Sequence, residues 1–127
     1  MAWQVKDPAF AERVRTSFAG QAFMGTLGAR LGRVEPGEVE IELPVRDALT
    51  QQHGFVHAGA LASVLDSAAG YAAFSLMPPR ATIVRPRAGR TISVCRADAM
   101  ALDDGRETLV ATLTGTMMCV EGRGIAG

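Results

Sequence analysis

The chain has 127 residues and a mass of 13.4 kDa, which is the size of a single domain. Its residues are 48% hydrophobic and 20% charged, a composition that excludes an intrinsically disordered chain. Thirteen basic residues balance thirteen acidic ones, and only 6% of the residues are aromatic. A general nucleic-acid binder needs a basic excess, and a reader of single strands needs stacking aromatic residues, so neither class fits.

The first third of the chain predicts one helix and two strands. Asp7 is a favourable N-cap before Pro8, and apolar residues recur every four positions after it, so we expect an amphipathic helix from Pro8 to about Ala19. Residues 27–34 are expected to form a first strand. In residues 38–45 glutamates alternate with apolar residues, which is typical of a half-buried antiparallel strand. The apolar positions of the helix are Phe10, Val14 and Phe18, and those of the second strand are Val39, Ile41, Leu43 and Val45.

Residues 58–77 are the longest apolar segment, with seven alanines and a single charge, Asp66. Their length would suit a membrane span, but a central acid is unfavourable in lipid and no basic cluster flanks the segment. The segment is therefore predicted to be a helix that its own protein buries on all sides, ended by Pro78 and Pro79.

The remaining third predicts strands at 81–85, 90–100 and 108–120, the last two joined by a hairpin at Asp103-Asp104-Gly105. A tight turn there would place Cys95 opposite Thr114, and Cys119 a further five residues away, about 16 Å and too far for a disulfide. Two free thiols, and a start that lacks the apolar stretch of a secretory signal, indicate the cytoplasm. The whole chain, residues 1–127, is thus expected to be one α+β domain in which an antiparallel sheet wraps around a central helix.

Asp66 is the residue that most needs an explanation, because a buried carboxylate without a partner is unfavourable. It is either a structural acid or a carboxylate held in a cleft as base or nucleophile. The free amides at the start of the helix, near Ala58 and Gly59, are suited to a developing oxyanion. Asp66 lies about 12 Å further along the axis. Either these amides are irrelevant, or a second, antiparallel copy of the helix supplies the acid.

The segment around the start of this helix resembles the PaaI-like branch of the hotdog-fold acyl-CoA thioesterases. The family pattern is an amide residue, a His-Gly-Gly-like turn and an acid about nine residues after the His, and it is matched by Gln51, Gly54, His57, Gly59 and Asp66. Ala58 stands where the family usually has a first glycine. The resemblance runs from about Phe18 to Val120 and implies a hotdog fold.

The resemblance also implies roles for these residues. Asp66 would activate water or attack the thioester carbonyl, and Gln51 would orient the water or the thioester from the opposing subunit. The Gly59 amide, with Ala58, would polarise the carbonyl, and Gly54 and His57 would shape the turn at the substrate. The expected substrate is an acyl-CoA, and the expected assembly is a homodimer or a dimer of dimers with no cofactor, nucleic acid or membrane. A non-catalytic acyl-CoA-binding module and a hotdog dehydratase are the alternatives.

Two further features bear on this expectation. One strand of the family pattern is missing after Met77, where the chain continues almost directly into a later strand. Arg85, Arg87 and Arg90 then form a basic loop that is either simply solvated or a contact for the phosphates of coenzyme A.

His53 and His57 have a spacing that could ligate a metal on a helix, but the glycine between them indicates a turn, and no metal site is expected.

Overall fold

The computed structural model describes the backbone of residues 3–79, 81–84 and 91–121, and the side chains of residues 3–79 and 93–117. In these ranges two helices and two strands precede one long helix, and three strands follow it; the sequence predicted this order except for the second of the two helices. The elements are α1 (Phe10–Ala19), α2 (Ala22–Leu27), β1 (Arg30–Glu35), β2 (Glu38–Glu42), a short 3-10 helix (Asp47–Leu49), α3 (Ala58–Phe74), β3 (Ala81–Val84), β4 (Thr91–Asp103) and β5 (Arg106–Glu121).

The strands form two antiparallel sheets, and both sheets contact α3. One sheet pairs β1 with β2, and the other has the order β3-β5-β4. We expected a single sheet. Among the described strands no main-chain ladder joins the two, so their common packing against α3 holds them together. The wrapping of antiparallel strands around a central helix is nevertheless the predicted architecture.

The core lies along the C-terminal half of α3. Phe74 is 2% exposed and Val14 of α1 is fully buried, and both belong to one cluster with Val34 of β1. On the side of the second sheet, Leu65 and Ala69 pack against β4 and β5. Because apolar area removed from water is the main stabilising contribution, α3 serves as the centre of the fold.

Several predicted boundaries were wrong. Asp7 accepts a hydrogen bond from the Ala9 N–H (2.9 Å) in a turn before α1, so the helix begins two residues later than expected. Residues 22–27, in part assigned to the first strand, form the short helix α2, which ends at Gly28 in the left-handed conformation that glycine favours (φ 73°). The second strand ends at Glu42, and Val45 beyond it is 69% exposed.

The β4–β5 hairpin was predicted correctly, and its register was wrong by one residue. Asp104 and Gly105 both have positive φ, as a two-residue hairpin turn requires. An irregularity in register between Ala99 and Met100 then places Cys95 opposite Gly115 rather than Thr114. In the described side chains Cys95 is a free thiol.

The prediction that α3 is buried on all sides was also wrong. The helix begins at Ala58 as expected, but one face of its N-terminal half is exposed, and it carries Ala58, Gly59, Ala62 and Asp66. We call this surface the open face of α3. Among the described helices, none has the length and apolar character needed to cross a membrane.

Candidate active site

The segment before α3 folds back on itself in a tight turn. Thr50 and Val56 form an isolated antiparallel bridge, and the Gln51 N–H donates to the Phe55 carbonyl (2.8 Å). Gly54 takes φ 84° at the tip, a conformation that explains why a glycine stands there. The His57 N–H donates to the Leu49 carbonyl (2.8 Å). These bonds fix Gln51 at the base of the turn, close in space to the start of α3.

The Gln51 amide is directed into its own turn. Its Oε1 accepts a hydrogen bond from the His53 N–H, and the side chain is half-buried. Within the described residues the Nε2 group has no protein partner, so it retains a donor for another molecule. His53 lies in this turn and is exposed, so it and His57 do not share a helix face as a metal pair would.

His57 is the N-cap of α3. Its Nδ1 accepts a hydrogen bond from the Gly59 N–H (2.8 Å), which satisfies one of the free amides of the first turn. A methyl group at position 59 would lie 3.0 Å from this nitrogen, so Gly59 permits the imidazole to fold over the helix end. By contrast, the Ala58 N–H has no hydrogen-bond partner among the described residues. The free donor therefore belongs to Ala58, whereas the sequence pointed first to Gly59.

Asp66 is exposed and not buried as its position in an apolar helix suggested. It makes no hydrogen bond and no ion pair with any residue that the structure describes. Asp66 lies on the open face of α3, eight residues from Ala58, and this spacing corresponds to about 12 Å along the axis. Reacting groups must approach to about 3.5 Å, so a single chain does not bring the Ala58 amide and the Asp66 carboxylate to one carbonyl.

The open face carries small side chains besides Asp66. Ala62 is exposed, and it lies midway between Ala58 and Asp66. Ser63 is half-buried, and its hydroxyl donates to the Gly59 carbonyl (2.7 Å). Ala69 is 1% exposed and packs inside its own chain, so it is not available to a second helix. A second helix would therefore contact the N-terminal half of α3.

The basic loop lies outside the described residues. Arg85, Arg87 and Arg90 fall in positions 85–90, so their proposed contact with coenzyme A stays a prediction.

Two features of this region were not predicted from the sequence. Phe55, at the tip of the turn, is 71% exposed next to the start of α3, where an apolar side chain is available for a ligand or a second chain. A chain of polar side chains also connects α1, the start of α2 and α3 directly beside Asp66. Phe55 has a signal in the sequence, since it is an aromatic residue in a glycine-containing turn. The polar side chains that connect the helices are up to 54 positions apart, so no local sequence pattern indicates their contact.

Comparison with solved structures identifies the family. A thioesterase family protein from Silicibacter pomeroyi superposes with a TM-score of 0.82 at 44% sequence identity, and the match covers 89% of this chain and 99% of that one. The chain belongs to the thioesterase family. Its neighbours include PaaI, and the PaaI-like hotdog fold expected from the turn and the central helix is confirmed.

Two further structures agree with this assignment. The PaaI protein of the E. coli phenylacetic acid degradation operon superposes with a TM-score of 0.68 at 18% identity, covering 94% of this chain and 98% of its own, and shows the shared fold. A putative thioesterase related to phenylacetic acid degradation, from Ralstonia eutropha, superposes with a TM-score of 0.59 at 26% identity over 86% and 98% of the two chains. No family model matches the sequence, and no curated protein does.

Proposed function

We propose that this protein hydrolyses acyl-CoA thioesters to a free acid and coenzyme A in a site shared by two subunits. The observation that carries the proposal is the open face of α3, where the Ala58 amide and the Asp66 carboxylate, neither of which has a partner among the described residues, lie on the same exposed side of one helix. The Silicibacter pomeroyi relative, a thioesterase family protein, supports a thioester hydrolase.

In this mechanism the amide at one end of the open face and the carboxylate at the other end have different chemical roles. The Ala58 N–H, supported by the helix dipole, hydrogen-bonds the thioester carbonyl oxygen and stabilises the oxyanion as it develops. Asp66 of the second subunit removes a proton from water or attacks the carbonyl carbon itself. The free Nε2 group of Gln51 orients the water or the thioester. When His57 turns away from Gly59, the Gly59 N–H becomes a second donor for the same oxygen.

A two-fold axis near Ala62 meets this requirement. Ala62 is four residues from both Ala58 and Asp66, so an antiparallel second α3 that crosses there brings the partner's Asp66 level with Ala58. The small side chain permits the interaxial distance of about 8 Å that close helix packing needs. The exposed side chain of Phe55 would also be removed from water by this interface. A homodimer, alone or within a dimer of dimers, is therefore the proposed assembly.

The first test is an acyl-CoA panel in which thiol release is followed, with Asp66→Asn and Gln51→Ala as variants. Asp66→Asn keeps the shape of the side chain but removes the base or nucleophile, so we expect turnover to fall at least tenfold while the fold survives. Near wild-type hydrolysis by folded Asp66→Asn protein would return Asp66 to a structural role.

The second test asks whether the site is shared. A subunit with Asp66→Asn and a subunit with Gln51→Ala are each nearly inactive, but a heterodimer has one site in which both residues are intact. We expect activity to return in part on mixing. Verified heterodimers without any recovery, or an active monomer, would contradict the shared site.

A third test places the two-fold axis. In a Cys119→Ser background, Ala62→Cys is expected to form an intersubunit disulfide under mild oxidation, because the two residues face each other across the axis. Thr26→Cys, on the exposed surface of α2, is the matched control and should remain monomeric on a non-reducing gel. Equal cross-linking at both positions would refute this placement of the axis.

One observation favours a second candidate, a module that binds acyl-CoA without hydrolysing it. The Gly59 N–H is occupied by the His57 side chain, which leaves a single free amide where the family pattern offers two. Binding measured by calorimetry without thiol release across the whole panel would establish this alternative. We also propose that the protein is cytoplasmic, since Cys95 is a free thiol and a reducing compartment keeps it so.

A further inference from the structure

Four polar side chains form a continuous chain through the apolar layer between α3 and the first two helices. The Ser67 hydroxyl donates to the Gln21 Oε1 (3.1 Å), and the Gln21 Nε2 donates to the Tyr71 hydroxyl (3.0 Å). The Tyr71 hydroxyl also shares a hydrogen bond with the Ser17 hydroxyl (3.2 Å). Gln21 is the N-cap residue of α2, so its side chain connects the start of α2 to α3, and the Tyr71–Ser17 hydrogen bond extends the connection to α1.

Aromatic rings lie beside this hydrogen-bonded chain of side chains and favour one arrangement of it. Tyr71 is 6% exposed, and its ring lies 6.1 Å from that of Phe18 and 6.2 Å from that of Phe74. In such a setting an unmade hydrogen bond is unfavourable, so a fully connected polar chain permits one arrangement of the helices and disfavours others. Both ends of the Gln21 amide are used, and they bind residues four apart on α3, that is, on successive turns of one helix face.

The hydrogen bonds between Gln21 and α3 lie immediately beside Asp66. Asp66 precedes Ser67 in α3 and has no hydrogen bond or ion pair of its own within the described chain, so its backbone position, which the rotation of the helix sets, determines the region that its carboxylate can reach. A carboxylate lies about 6 Å from the helix axis, of which about 2.3 Å is the Cα radius, so a rotation of about 10° moves it by about 1 Å. A displacement of that size is enough to reduce a rate about a hundredfold.

We propose that Gln21 is a positioning residue for the Asp66 carboxylate and acts on it through Ser67 and Tyr71. The proposal rests on the role of Asp66 in the proposed function and assigns Gln21 no contact with substrate. The Gln21 amide fixes the rotation of α3 against α1 and α2, and thereby fixes the direction in which Asp66 faces the second subunit.

The test uses Gln21→Leu, which keeps the size of the side chain and removes both hydrogen bonds. We expect kcat for the best acyl-CoA to fall about tenfold with KM changed less than twofold, because substrate contacts are intact and the carboxylate is misdirected. Thr26→Val in α2 removes an exposed hydrogen bond within that helix, from the Thr26 hydroxyl to the Ala22 carbonyl (3.3 Å), away from α3, and should leave kcat unchanged. An unchanged kcat in Gln21→Leu, or a change in KM alone, would overturn the proposal.

A double-variant comparison separates positioning from general destabilisation. In Asp66→Asn the carboxylate is gone, so adding Gln21→Leu should cost no further residual activity. An equal fold-loss in both backgrounds would mean that Gln21 is merely structural. A failure of the proposed function would appear in different measurements: the wild-type protein would not hydrolyse acyl-CoA, or Asp66→Asn alone would keep its activity. The backbone amide NMR signal of Asp66 gives a readout without turnover: it should shift in Gln21→Leu and stay in place in Thr26→Val, and an unmoved signal would count against the inference.

Discussion

Arg13 provides the sharpest test of how the fold is held together. Its guanidinium donates to the carbonyls of Phe74 (3.0 Å), Met77 (2.9 Å) and Pro78, which end α3 or follow it. The same group lies 4.4 Å from the centre of the Phe74 ring and 3.5 Å from the Asp7 carboxylate. One side chain of α1 thus caps the C-terminus of the central helix, where a positive charge is favourable.

Arg13→Met should destabilise the protein by about 3 to 5 kcal/mol. A hydrogen bond to a charged group contributes roughly 1.5 to 3 kcal/mol, but the freed carbonyls at a helix end are partly rehydrated, so the three do not add in full. Asp7 is 6% exposed; without Arg13 it keeps the hydrogen bond from the Ala9 N–H but loses its ion-pair partner, which adds to the loss. For a chain of this length the loss corresponds to a fall in Tm of roughly 10 to 20 °C.

The assay is urea and thermal unfolding at one fixed protein concentration, because the proposed dimer would make Tm depend on concentration. Arg15→Met is the matched control: Arg15 belongs to the same helix, is exposed and has no salt bridge among the described residues, so its loss should stay within about 0.5 kcal/mol. Arg13→Lys keeps the charge but not the fork of donors and should fall between the two. If Arg13→Met is as stable as Arg15→Met, the capping role is wrong.

Two further predictions concern titratable groups. Burial raises the pKa of the Cys95 thiol, so in a Cys119→Ser background it should react with iodoacetamide at neutral pH more slowly in the native protein than in urea; equal rates would contradict it. Hydrogen bonds from Thr112 and then from Arg96 lower the pKa of Asp98, so its stabilising effect is present above the unfolded pKa of about 4 and is lost as the pH falls through the lower folded value. The stability difference between the wild-type protein and Asp98→Asn should therefore shrink in acid, as followed by urea unfolding from pH 6 to pH 2.5.

Local patterns were enough to predict much of the fold. The turn at Asp104 and Gly105, the alternation in β2 and the start of α3 each follow from a conformational preference of a few neighbouring residues. The short helix α2 was missed for the same reason: it has six residues with Gly25 inside it, so its propensity is low and tertiary packing of Met24 and Leu27 decides its conformation.

The sequence located the candidate site residues around the start of α3, but it did not predict how exposed they are to solvent. An apolar helix in sequence reads as buried on all sides, because composition does not tell which face packs inside the chain and which is left open. Asp66 and Ala62 lie on the open side, and Ala69, only one turn beyond Asp66, lies on the closed side. The His57 cap on Gly59 was missed since histidine is an uncommon N-cap, and the spacing alone suggested a free amide.

The distribution of contacts along α3 connects stability with the proposed site. Arg13 contacts the C-terminal end, Gln21 contacts the middle, and Leu65 with Ala69 packs on the sheet, so these contacts all lie from the middle of the helix onward. The N-terminal turns have Ala60 as their buried residue and expose the residues of the open face. In a lone chain this half is the part of α3 most open to local unfolding, because few buried groups oppose it. A second subunit bound across Ala62 would add its contacts there, so the proposed assembly would order the same turns that carry the proposed oxyanion donor and the proposed catalytic acid.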